Sequence, residues 1–144
     1  MSDQQEITSL LAGILNDYKK NQGGSGAGQP AHEPSMSQKA ALHPLLEKMA
    51  AECEKRGASD IFISAGFPPS FKINGELTPV PLKPLTQQDT QVLVYSTMSS
   101  EQRSRFDHEL ELNYSATSKD GIRFRVNAYH EQGRMGMVWR RITT

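Results

Sequence analysis

Apolar and polar residues alternate strictly near the C-terminus. Phe124, Val126 and Ala128 take one parity, and Arg123, Arg125 and Asn127 take the other. A period of two marks a strand with one buried and one solvated face. Residues 121–129 therefore read as a strand, Gly133 as a turn, and residues 134–142 as the returning strand. Upstream the period changes. Leu42, Leu45, Leu46, Met49, Ala50 and Cys53 recur at helical spacing. Pro44 suits the first turn of that helix, and Gly57, after Lys55 and Arg56, suits a left-handed cap.

The stretch between these two patterns divides in the same way. Residues 60–64 form a short apolar run and read as a buried strand, with residues 65–69 a rigid turn out of it. Residues 70–73 and 76–80 flank Asn74 and Gly75, the strongest short hairpin signal. Pro79 confines the second of these strands to a sheet edge, or ends it. Residues 86–89 open a helix whose inward residues are expected to be Val92, Leu93 and either Tyr95 or Met98. Residues 99–102 open a shorter helix around Phe106, residues 111–117 form a strand, and a turn follows at 118–121. The order is helix, three strands, two helices, three strands. That order predicts an α+β fold: a mainly antiparallel sheet covered on one face by helices, a sandwich like that of PAS-type domains.

The first 38 residues obey neither pattern of the domain. Ile7, Leu10, Leu11, Ile14, Leu15 and Tyr18 make one apolar stripe, so an amphipathic helix is expected over residues 3–20, within a segment 1–20. Asp3 can cap it, and Lys19 and Lys20 suit its C-terminal end. A lone helix of this length is marginal in water and needs a surface to pack against. Its partner is unknown; its own domain, a second copy or a separate protein would serve. Residues 21–38 are rich in Gly, Pro and small polar residues and read as a flexible linker. The helix is thus tethered to a domain spanning residues 39–144.

Charge sharpens the picture at the C-terminus only. The chain has 16 basic and 16 acidic residues, yet residues 121–144 hold five arginines against the single acid Glu131. A zero net charge argues against general nucleic-acid binding and leaves a local anion site open. Guanidinium groups in a row on a rigid strand suit phosphate or carboxylate. The competing reading is a solvated face of an edge hairpin. No run of residues is long and apolar enough to span a bilayer, and the N-terminus lacks the pattern of a signal peptide. One cysteine, Cys53, on an apolar helical face, reads as a small core residue. A reducing cytoplasm fits these features.

Catalytic chemistry finds no foothold. His32, His43, His108 and His130 show no zinc spacing with one another or with Cys53. Asp107, His108, Glu109 and Glu111 read as a charged helix end rather than a catalytic pair. No nucleophile elbow and no phosphate-cradling P-loop is present, so no catalytic residue, metal ligand or cofactor is assigned to this chain.

Four blocks of the sequence, in order, make one pattern. The first runs from Gly57 through Ala58, Ser59, Asp60 and Ile61 to Pro69, followed by residues 71–76. The second is residues 84–86. The third is residues 98–103 with Phe106 and residues 109–113. The last is residues 123–128 with residues 138–142. Together these blocks resemble the N-terminal domain of the PilT/PilU family, hexameric ATPases that retract type IV pili; the match spans residues 42–142, and Ile61-Phe62-Ile63 with residues 138–142 leans it toward the PilU branch. Residues before 40 stand outside the family pattern.

The resemblance implies a division of labour. The motor domain, with its nucleotide loop and ATP and Mg, is expected to follow Thr144, and this chain would be non-catalytic. In the family, arginines from the last strands of the N-terminal domain reach toward nucleotide phosphates. By position these are Arg125 and Arg140, with Arg123 a weaker third. The implied partners are the motor domain of the same or a neighbouring subunit, a homo-hexamer, and the pilus machinery platform or a paralogous retraction ATPase. The implied location is the cytoplasm, at the inner face of the bacterial inner membrane. A rival expectation is an independent PAS-like sensor or interaction module; a ligand cavity lined by Phe62, Phe71 and Trp139 would support it, although these aromatics read first as plain core.

Overall fold

The computed structural model describes residues 42–143. The helix expected over 3–20 and the linker 21–38 lie outside the described residues. Among the described residues, three helices and six strands follow in the expected order. Helix α1 (Pro44–Lys55) starts at His43, whose Nδ1 accepts the Leu45 N–H at 3.1 Å, and Pro44 fills a first-turn position that has no use for an N–H. Gly57 then takes φ 68°, a left-handed conformation that carries the chain out of the helix. Strands β1 (Asp60–Ser64), β2 (Ser70–Ile73) and β3 (Glu76–Pro79) follow. Asn74 and Gly75 both have positive φ, as the two-residue hairpin turn requires.

Two reciprocal caps open the next helices. In α2 (Gln87–Tyr95), the Asp89 N–H donates to Thr86 Oγ1 at 3.0 Å and the Thr86 N–H donates to Asp89 Oδ2 at 2.9 Å. In α3 (Ser100–Glu109), Ser99 and Gln102 exchange the same pair of bonds. Leu93 and Val94 are the buried apolar residues of α2, whereas Val92 is only half-buried. The inward pair is therefore one residue later than the sequence suggested. Three consecutive apolar residues leave the phase of a short helix open, and packing against the sheet chooses it. Strands β4 (Glu111–Thr117), β5 (Arg123–Glu131) and β6 (Arg134–Arg141) complete the chain.

All six strands form one antiparallel sheet in the order β3-β2-β1-β6-β5-β4. The last strand inserts beside the first, so β1 and β6 are central and β3, with Pro79, is an edge. One face carries Ile61, Ile63, Phe71, Phe124, Val126 and Trp139, all buried with the apolar sides of the helices in a single core. Phe124 and Trp139 pack at 5.1 Å between ring centroids. Among the described residues, no helix covers the opposite face, which is open.

This partition separates the three aromatics: Phe71 and Trp139 are core as expected, Phe62 is not, and no cavity lined by all three can form. Ile61, not Phe62, is the register partner of both Phe71 and Trp139. Phe62 therefore points to the open face while the other two are core residues. The run Ile61-Phe62-Ile63 has no alternation of polarity, so its pattern could not say which side chain turns outward.

Candidate functional site

The open face brings the arginines together across strands that are far apart in sequence. Arg125 of β5 and Arg140 of β6 are direct register partners, and Arg140 is also the partner of Asp60 in β1. Ser115 of β4 completes the row. One step along the sheet, Phe62, Val138, Asn127 and Asn113 form a parallel row on the same face. Strand alternation places every one of these side chains away from the core.

Between the rows lies an open groove of about 530 Å³ whose lining includes Asp60, Asn113, Ser115, Arg125, Asn127 and Arg140. Arg140 donates from Nε to Asp60 Oδ2 at 3.3 Å; its side chain is 70% exposed, against 5% for that of Asp60. At the other end Asn127 Nδ2 donates to Asn113 Oδ1 at 3.0 Å and to Glu111 Oε2 at 3.1 Å. Arg125 is exposed, and no ion pair holds it among the described residues.

The electrostatics favour an anion. Opposed residues on adjacent strands have Cβ atoms roughly 5 Å apart, and like charges in that position repel. Asp60 offsets one of the two cations and leaves the pair with a surplus positive charge. A phosphate or carboxylate between the two guanidinium groups would relieve that repulsion and accept several charge-assisted hydrogen bonds. Tyr114, the neighbour of Asn113 and Ser115 on β4, turns instead to the core side, where burial pushes its hydroxyl up to about 12, 2.6 Å from Thr97 Oγ1.

The five C-terminal arginines thus separate by position. Arg125 and Arg140 line the groove, whereas Arg123 shares their face but stands beside Thr117, outside the lining. Arg134 opens β6 at the far end of the hairpin. Arg141 belongs to the edge of the core, where its Nε donates to the Ala58 carbonyl at 3.0 Å. Asp60 is a residue of the groove that the sequence left without a role. It was legible as the first residue of a strand, but nothing local ties it to an arginine 80 positions away. Among the described residues no three His, Cys, Asp or Glu side chains gather as metal ligands, and Asp107 instead accepts the Tyr95 hydroxyl at 2.6 Å.

No protein-family model matches the chain. Two curated relatives from Pseudomonas aeruginosa do. The type IV pilus ATPase PilU is 40% identical over 99 residues, covering 69% of this chain and 26% of PilU. The type IV pilus retraction ATPase PilT is 35% identical over 97 residues, covering 67% of this chain and 28% of PilT. The chain therefore spans about a quarter of the length of these relatives. Among solved structures, the pilus retraction motor PilT with bound ADP superposes with a TM-score of 0.63 at 30% identity, over 69% of this chain and 29% of that one. The ATPase DotB of Legionella pneumophila reaches a TM-score of 0.61 at 21% identity, over 77% of this chain and 31% of that one, a likeness of fold alone. Sequence identity and fold agree, and the chain belongs to the type IV pilus retraction ATPase family of PilT and PilU.

Proposed function

We propose that this chain is the non-catalytic, PAS-like N-terminal domain of a hexameric PilT/PilU-type ATPase that powers type IV pilus retraction and twitching motility. The domain supplies Arg125 and Arg140 to the phosphates of a nucleotide held by the motor domain of its own or a neighbouring subunit. Arg123 stands by as an outlying third cation. One observation carries the reading: the two guanidinium groups are register partners on the open face of the sheet, with a groove beside them. A guanidinium offered from a second domain can neutralise charge on the transferred phosphoryl group, so that domain closure and hydrolysis become coupled. ATP and Mg belong to the motor domain. The working location is the cytoplasmic side of the inner membrane, against the pilus machinery platform or a paralogous retraction ATPase. No helix among the described residues is long and apolar enough to cross a membrane, which is compatible with that placement.

The test uses the protein with its motor domain attached. Arg125→Ala and Arg140→Ala should each lower ATP turnover steeply, since such arginines are worth about 10³-fold or more in other phosphoryl-transfer enzymes. Arg134→Ala serves as a control for charge loss. Wild-type turnover in both groove variants would remove the phosphate role, and motor-like ATP hydrolysis by the purified 144-residue chain would remove the non-catalytic one.

A further inference from the structure

Asp60 is a carboxylate at a central strand of the sheet, 4% exposed. A charge in such a place is costly unless hydrogen bonds and an opposite charge hold it. Both are present. The Ser59 hydroxyl donates to Oδ1, and Arg140 donates from Nε to Oδ2. The arginine is gripped at Nε, the nitrogen nearest its stem. A guanidinium is planar, with five N–H donors in a fixed fork, so holding Nε sets the direction of the whole plane. The end carrying Nη1 and Nη2 stays open for bidentate contact. That end belongs to a side chain 70% exposed beside the groove.

We propose that Asp60 is a positioning residue, fixing Arg140 through Nε so that its terminal nitrogens meet a phosphate edge-on. The proposal rests on the nucleotide-contact reading above and assigns the residue that makes Arg140 effective. Arg125 has no ion pair of this kind among the described residues, so the two cations differ in kind. Arg140 is pre-set by a buried anchor, and Arg125 adapts. The sign of the effect separates positioning from simple charge. Asp60 is itself negative, so as a plain electrostatic neighbour it would weaken anion binding. As a positioner it raises turnover, because a misplaced catalytic group loses far more rate than its charge alone accounts for.

The first measurement needs only this chain. In an isotope-labelled sample, the Arg140 Nε–H should exchange with solvent several-fold more slowly than that of Arg125, and this protection should vanish in Asp60→Ala. Equal exchange of the two in the wild type overturns the proposal. Asp60→Asn, which retains one acceptor oxygen, keeps the experiment decisive where Asp60→Ala does not fold, and should show intermediate protection. The second measurement uses the protein with its motor domain. Asp60→Ala should lower kcat by about tenfold to a hundredfold, the scale of a small misplacement. KM for ATP should be unchanged or lower, and Asp60→Ala combined with Arg140→Ala should be no slower than Arg140→Ala alone. If Arg140→Ala is slow but both Asp60 variants turn over at the wild-type rate or faster, positioning is wrong and the phosphate contact stands. If Arg140→Ala is itself at the wild-type rate, both readings fall.

Discussion

Tyr129 lies across Gly136 and places its hydroxyl 2.8 Å from Ser64 Oγ, so β5 is linked over the top of β6 to β1. The crossing depends on the missing side chain. A Cβ on Gly136 would stand 2.6 Å from the Tyr129 hydroxyl and 2.8 Å from the Ile63 carbonyl oxygen. Gly136→Ala should therefore destabilise the domain by about 1–3 kcal/mol, the usual cost of forcing extra volume into a packed site. Tyr129→Phe should cost about 1 kcal/mol, one hydrogen bond. Together they should cost less than the sum, because removing the hydroxyl relieves part of the clash. Urea denaturation of the three variants reads this directly; strict additivity would show that the two residues do not share the site.

The partition of the two sheet faces makes a second contrast. Trp139 is 1% exposed and packed on Phe124, whereas Phe62 is half-buried on the open face. Trp139→Ala should cost about 3–5 kcal/mol through the cavity it leaves. Phe62→Ala should cost well under half as much, in the same denaturation experiment. Equal losses would mean that both aromatics are core residues.

Arg123 tests the boundary of the groove. It sits on the same strand face as Arg125 yet outside the lining, so Arg123→Ala in the protein with its motor domain should keep turnover within about fivefold, an exposed cation being worth under about 1 kcal/mol. A loss as large as that of Arg125→Ala would extend the phosphate site along β5.

Cys53 gives a pH dependence with a defined sign. Burial pushes its thiol up from 9.0 to about 11, and nearby Arg141 only partly opposes this. The folded state holds the proton more tightly than the unfolded chain, so the contribution is complete below pH 9 and is lost as pH rises toward 11. Wild type should therefore lose up to about 2 kcal/mol more than Cys53→Ala between those limits. Denaturation midpoints across the alkaline range check it; parallel curves for the two proteins would place the thiol in contact with solvent.

Much of the local architecture was readable because short-range chemistry specifies it. Asn74 and Gly75 accept positive φ cheaply, Thr86 with Asp89 and Ser99 with Gln102 satisfy the free N–H groups of helix starts, and Gly57 ends α1. Strict alternation around Arg123 and Arg125 correctly assigned their face. Where alternation is missing, local pattern does not fix which side chain turns inward. Ile61-Phe62-Ile63 concealed that Phe62 faces outward, and consecutive apolar residues concealed that Val94 rather than Val92 turns inward.

For the site itself, the sequence alone determined that Arg123, Arg125 and Asn127 share a strand face and that no P-loop accompanies them. A two-residue period follows from the geometry of a single strand. The tertiary structure decided that Arg140 lies beside Arg125, that Asp60 grips Arg140, and that Arg123 is left outside the groove. Those relations depend on β6 inserting between β1 and β5. Strand partnership is settled by burying one shared apolar face across the whole sheet, not by neighbours along the chain.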